Sequence, residues 1–221
     1  VGRRLGYRVT AVMPETMSGE RRRLMAIYGA EFVLTPGDLW MAGSLQRAEE
    51  IMRGEPGAWL LRQFSNPDNA ACHEATTGPE IARDAGRVDA FVAGVGTGGT
   101  LMGTGRFLKS LDPATLVVAV EPAESAVLSG GGVGRHVIQG IGPGFIPSIV
   151  DRALIDEVVR IESAAALSMK ERLAAEEGLF VGISSGATVL AAREIARKMK
   201  KGSRIVAMLA DSGDRYLSLG A

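Results

Sequence analysis

One stretch constrains this chain more than any other: Gly94-Val95-Gly96-Thr97-Gly98-Gly99-Thr100. The apolar run Val88-Asp89-Ala90-Phe91-Val92-Ala93 precedes it, and Leu101 to Leu108 follows with a helical pattern. The order predicts a strand, a tight glycine turn and a helix. First-turn N–H groups of a helix lack intrahelical partners, and the helix dipole favours an anion at that end. Glycine lets a backbone approach closely and accepts positive φ at little cost. Thr97 and Thr100 add hydroxyl donors. The stretch reads as a cradle for a single phosphate.

The rest of the chain supplies a frame of the same kind. Arg8 to Met13 reads as a strand closed by Pro14, and Ser18 can cap a helix with Leu24, Ile27 and Tyr28 on one face. Glu31 to Thr35 is a second strand, and Met41, Leu45, Ala48 and Met52 repeat at helical spacing before Gly54 and Pro56. Trp59 to Arg62 is apolar and extended, Gln63 to Asn69 is polar and turn-rich, and Thr77-Gly78-Pro79-Glu80 opens a helix. Beyond the glycine turn, strands are expected at 116–120, 158–161 and 204–210, the last of them buried. Helices are expected around Leu167 to Ala174 and from Ser184 or Ser185 to Met199. Alternating β and α units argue for an α/β fold of parallel sheets flanked by helices. A domain crossing is placed near residue 60, giving a smaller unit over 1–60 and a phosphate-binding unit over 61–221.

Composition narrows the partners. Twenty-five Lys and Arg balance twenty-five Asp and Glu, so no net field recruits nucleic acid or an anionic membrane surface. No apolar run approaches the roughly 18 residues of a membrane span. The single cysteine, Cys72, excludes an intrachain disulfide framework and fits a reducing, cytoplasmic compartment. The chain opens on Val1, and Arg3-Arg4-Leu5-Gly6 resembles the last turn of a helix whose body is missing. The expectation is that something precedes it.

Other motifs compete with the phosphate cradle. Gly94-x-Gly96-x-x-Gly99 with Glu121 about twenty residues on matches the dinucleotide fingerprint, which would make the chain an NAD-dependent oxidoreductase. Several β/α units precede the turn, however, where the fingerprint belongs in a first unit. Gly182-Ile183-Ser184-Ser185-Gly186 matches a nucleophile elbow, but both histidines, His73 and His136, precede it, so the required chain order fails. A helix start is the ordinary explanation. Cys72 and His73 are adjacent rather than at metal spacing, so no metal site is expected. Cys72 reads as a small buried apolar group and His136 as a solvated loop histidine. Arg21-Arg22-Arg23 and Lys198, Lys200 and Lys201 read as solvated faces or an oligomer contact. Asp211-Ser212-Gly213 follows the last strand, at the sheet edge where open α/β sheets place ligands.

Seven segments in order carry a resemblance: Met13 to Ser18, Gln63 to Pro67, Thr76 to Glu80, Gly94 to Thr100, Gln139 to Pro147, Gly182 to Gly186 and Ser212 to Tyr216. Together they resemble cysteine synthase (O-acetylserine sulfhydrylase), of the β-family, or fold type II, pyridoxal-phosphate enzymes, matching only the later part of that family's chain. The resemblance implies a two-domain fold with the N-terminal part missing, and pyridoxal 5′-phosphate as cofactor. Gly96, Thr97, Gly98, Gly99 and Thr100 would hold the cofactor phosphate. Ser212 would hydrogen-bond the pyridine nitrogen, Gln63 the substrate carboxylate, and Gly140 would lie beside the amino-acid substrate. Ile141 to Phe145 favours the O-acetylserine type over relatives that use O-phosphoserine.

The reaction so implied is replacement of acetate in O-acetyl-L-serine by sulfide, in a ping-pong sequence. The family's homodimer, and its binding of the serine acetyltransferase C-terminal tail, are implied partners. The catalytic lysine and an asparagine-containing substrate loop are expected before Val1. None of Lys109, Lys170, Lys198, Lys200 and Lys201 stands in a matching motif. The 221 residues are thus expected to be a fragment or a truncated paralogue, inactive as they stand. The alternative is a non-catalytic module that holds a peptide tail or a phosphate.

Overall fold

The computed structural model describes residues 1–219. The chain divides into two compact units, one of Val1–Leu61 with the segment from Gly213, the other of Arg62–Ser212.

In the first unit, β1 (Thr10–Pro14) and β2 (Glu31–Thr35) pair in parallel, Thr10 opposite Glu31 and Pro14 opposite Thr35. The helix α1 (Gly19–Ile27) connects them, and α2 (Trp40–Gly54) follows. Ser18 stands at the N-cap of α1, but its side chain makes no capping bond. The expected inner face of that helix is not buried: Leu24 is 37% exposed, Ile27 80% and Tyr28 69%. A two-stranded sheet gives a helix little surface to cover. The segment Gly213–Leu219 packs Tyr216 fully into this unit, where Arg21 Nη2 donates to its hydroxyl at 2.9 Å. Glu20 accepts from the Ser218 amide and hydroxyl, both at 2.8 Å.

The second unit begins with α3 (Asp68–Ala75) and α4 (Thr77–Ala85). Then come β3 (Ala90–Gly94), α5 (Gly99–Leu111), β4 (Leu116–Pro122), β5 (Glu157–Ile161), α6 (Ser163–Glu177), α7 (Ile183–Lys198) and β6 (Ile205–Ala207). The strands form one parallel sheet in the order β5-β4-β3-β6. β3 and β4 are buried almost throughout, as near-continuous Ala, Val and Phe runs demand of strands covered on both faces. Phe91, Leu101, Met102 and Val117 form the centre of a core between the sheet and α5. Burying a side chain of this size contributes about 1.5–3 kcal/mol.

Two expected elements differ. The last strand pairs over three residues instead of seven and is half-buried, because it is the sheet's edge. The stretch read as polar turns holds the start of α3, and residues 59–62 belong to no strand. The first turn of α7 contains Ser184 and Ser185, both buried, but its N-cap is Gly182 and no side chain caps it.

Candidate functional site

The glycine stretch lies where the alternation of strand and helix places it, between the carboxyl end of β3 and the first turn of α5. Gly98 is the N-cap residue, in the left-handed region at φ 88°. An L side chain would be strained there, and a Cβ would also meet Val150 Cγ2 at 2.4 Å. No acidic residue stands in the first turn of α5, so the partial positive charge of that helix end is not offset there. Among the described residues, the amides of Thr100 and Leu101 have no protein acceptor.

The stretch is also closely packed. A Cβ on Gly96 would sit 2.2 Å from the Gly140 carbonyl oxygen, and one on Gly99 would sit 2.0 Å from Asn69 Oδ1. Glycine at these two positions is thus required by the neighbouring atoms. The first approach brings Gly140, itself at φ 97°, directly against the turn. The Gly142 amide donates to the Val95 carbonyl at 2.9 Å, and His136 Nε2 bonds the Gly142 carbonyl at 2.9 Å. His136 is therefore half-buried and holds this loop, where the sequence suggested a solvated position.

Both threonine hydroxyls meet side chains of α3. Thr97 Oγ1 accepts from Asn69 Nδ2 at 3.0 Å and from the Gly99 amide at 3.3 Å. Thr100 Oγ1 lies 3.1 Å from His73 Nε2, and His73 Nδ1 lies 2.8 Å from Thr77 Oγ1. Partial burial holds the His73 imidazole below its ordinary pKa, because the charged form loses hydration. Asn69 was not singled out from the sequence, and His73 was weighed there only as a metal ligand or triad member. Their spacing, i and i+4 on one helix, was the available signal, but the helix itself was obscured by the turn-like Asn66-Pro67-Asp68-Asn69.

Gln63 is exposed, and its carbonyl accepts from Asn69 Nδ2 at 2.7 Å. Its neighbour Phe64 packs edge-on against Phe145 at 5.1 Å, and Ser148 Oγ donates to the Phe64 carbonyl at 3.3 Å. Gln63 and the 139–148 loop are thereby fixed around the glycine turn. Ser212 follows β6, the neighbour of β3, in the chain, five residues after Ala207. It forms an antiparallel bridge with Val181, and the Gly182 amide donates to the Asp211 carbonyl at 2.9 Å.

The competing motifs find other uses. Glu121 is buried, and its oxygens accept from the Leu128 amide at 2.7 Å, the Ser129 amide at 3.0 Å and the Ser129 hydroxyl at 2.5 Å. It anchors its own loop. Cys72 is exposed instead of buried, its thiol donating to the Asn69 carbonyl at 3.1 Å. Among the described residues no group of His, Cys, Asp and Glu could hold a metal ion.

These donors fit a phosphomonoester: free first-turn amides and hydroxyls held in place at a helix N-terminus. Pyridoxal 5′-phosphate carries such a group, and the comparisons with known proteins agree. The pyridoxal-phosphate dependent enzyme family matches residues 1–211. A cysteine synthase of Staphylococcus aureus is 47% identical over 215 residues, covering 96% of this chain and 69% of the relative. The crystal structure of cysteine synthase from Entamoeba histolytica superposes with a TM-score of 0.92 at 42% identity, covering 99% of this chain and 65% of that one. An O-acetylserine dependent cystathionine β-synthase from Helicobacter pylori gives 0.94 at 38% identity, covering 100% and 72%. This chain thus spans about two thirds of the length of the proteins it resembles. With its sheet order, its glycine turn and its matched length, it belongs to the pyridoxal-phosphate dependent enzyme family, on the cysteine synthase side.

Proposed function

We propose that this chain carries the cofactor-phosphate and substrate-facing portion of a cysteine synthase, which replaces the acetate of O-acetyl-L-serine with sulfide to give L-cysteine. The observation that supports this most directly is the glycine turn between β3 and α5, with free first-turn amides, the hydroxyls of Thr97 and Thr100 and the Gly140 carbonyl packed against Gly96. Gly96 to Thr100 would hold the cofactor phosphate through amides and hydroxyls. Ser212 would meet the pyridine nitrogen with a neutral hydroxyl, which unlike a carboxylate does not force its protonation. When bound, the cofactor supplies an electron sink, and a milder one for that reason, suited to elimination and addition at the β-carbon. Gln63 binds the substrate carboxylate with its side-chain amide, a bond to a charged group that contributes about 1.5–3 kcal/mol. Gly140 leaves room beside the substrate.

The lysines of this chain are not at the glycine turn. Lys109 is ten residues along α5, roughly 15 Å from its start at 1.5 Å per residue, and pairs with Asp156. Lys198 ends α7 and pairs with Glu157. Lys200 and Lys201 follow it on an exposed turn, and Lys170 lies in the middle of α6. The 221-residue chain by itself is therefore proposed to bind the cofactor without turning over. The homodimer, a cytoplasmic location and docking of a serine acetyltransferase C-terminal tail belong to the same proposal. Among the described residues no helix is long and apolar enough to cross a membrane.

The test is an assay of this chain with pyridoxal phosphate, O-acetylserine and sulfide, paired with borohydride reduction and peptide mass mapping. The expected outcome is no cysteine and no stoichiometric adduct on any one of the five lysines. Steady cysteine production, or a single fully labelled lysine, would contradict the proposal.

A further inference from the structure

We propose that Asn69 is a positioning residue for the phosphate site: it makes the Thr97 hydroxyl a donor only and ties it to the backbone of Gln63. The inference rests on the reading of Gly96–Thr100 as a phosphate cradle. Asn69 Nδ2 lies 2.7 Å from the Gln63 carbonyl and 3.0 Å from Thr97 Oγ1. A carbonyl only accepts, so the amide NH2 group, not the amide oxygen, must face Gln63. Its two N–H bonds are then used by Gln63 and Thr97.

Thr97 Oγ1 consequently accepts from Asn69, and it accepts from the Gly99 amide at 3.3 Å as well. A hydroxyl has two lone pairs and one hydrogen. Both lone pairs are occupied, and among the described residues no acceptor takes the hydrogen. Thr97 is left with one role, donation, which suits an anion with lone pairs only. The side chain of Asn69 is seated by design of the backbone it faces: a Cβ on Gly99 would fall 2.0 Å from its Oδ1. Because the same NH2 group holds the Gln63 carbonyl, Asn69 also couples the residue proposed for the substrate carboxylate to the hydroxyl proposed for the phosphate.

The experiment titrates the full chain with pyridoxine 5′-phosphate and with pyridoxine, which lack the aldehyde and so form no adduct with surface lysines. Wild type should bind the phosphate ester more tightly. Asn69→Ala should lower that affinity roughly tenfold, the size expected when one charge-assisted hydrogen bond is misdirected, and leave pyridoxine unchanged. Thr97→Val should lose at least as much, and adding Asn69→Ala to it should cost nothing further. Asn69→Asp, nearly isosteric, should lose more than Asn69→Ala, because its oxygens accept the Thr97 hydrogen and reverse the bond. Should Asn69→Ala fail to fold by circular dichroism, Asn69→Asp and Asn69→Ser carry the same comparison. Additive losses for Asn69 and Thr97, equal weakening of pyridoxine, or an Asp variant milder than Ala would overturn the inference and leave the cradle standing. A wild type that does not prefer the phosphate ester would overturn the cradle and the inference with it.

Discussion

His73 shows how a single side chain in this site is tied to protonation. It bridges Thr77 and Thr100 through its two ring nitrogens, and burial favours its neutral form in the folded chain. An unfolded histidine titrates near about 6.5. Between its depressed folded value and that point the unfolded chain holds more protons, so stability rises with pH across the window. The contribution of His73 is complete above about 6.5 and is lost as pH falls through the folded value. Urea midpoints of wild type and His73→Gln, compared at pH 7.5 and pH 5.5, should therefore differ most at the higher pH. A gap that widens on acidification would mean that the charged imidazole is the favoured form. The sequence disclosed the threonines as donors but not the role of this histidine, because its two partners come from two other helices and no spacing in the chain announces them.

At the scale of elements, the contact between α3 and α5 decides how near the glycine turn Asn69 and His73 can stand. Gly103, in the middle of α5, is what permits it: a Cβ there would lie 2.0 Å from the Ala70 carbonyl oxygen, 2.8 Å from the Glu74 amide and 2.8 Å from His73 Cβ. Replacing glycine by alanine inside a helix gains up to about 1 kcal/mol in propensity. Forcing a methyl group against backbone costs about 1–3 kcal/mol, and backbone cannot rotate away. Gly103→Ala should therefore destabilise the protein by about 1–2 kcal/mol, a drop of roughly 2–8 °C in thermal midpoint. Gly105 is the control. Its Cβ would meet only side-chain carbons, of Val117 at 3.1 Å and Leu154 at 3.4 Å, which can give way where backbone cannot, so Gly105→Ala should be close to neutral. Two equal midpoints would show that α3 is not held against α5 in this way. The strands and helices with strong periodicity, β3 to β5 and α5, were legible in the chain, since their burial follows from their own side chains. The helix α3 was not, because its short run Asp68–Ala75 has only Ala70 buried and is placed by the glycines opposite it. The three-residue pairing of β6 was equally hidden, since being an edge is a property of sheet order and not of Ile205–Ala207 themselves.

For the whole molecule, the alternation of strands and helices gave the α/β class, and seven ordered segments gave the family. The chain's C-terminal segment illustrates what such reading leaves out. Gly213 onward follows directly on the sheet of the second unit, yet Tyr216 is buried within the first, against Arg21. That return depends on contacts about 195 residues apart in sequence, which no local pattern encodes. The proposed function rests on a smaller set of atoms, the amides and hydroxyls at the start of α5. The most direct measurement is an amide NMR titration of the 221-residue chain with inorganic phosphate. The account predicts saturable shifts centred on Gly98, Gly99, Thr100 and Leu101, largely abolished by Thr97→Val. Shifts centred elsewhere, or none at millimolar phosphate, would contradict it.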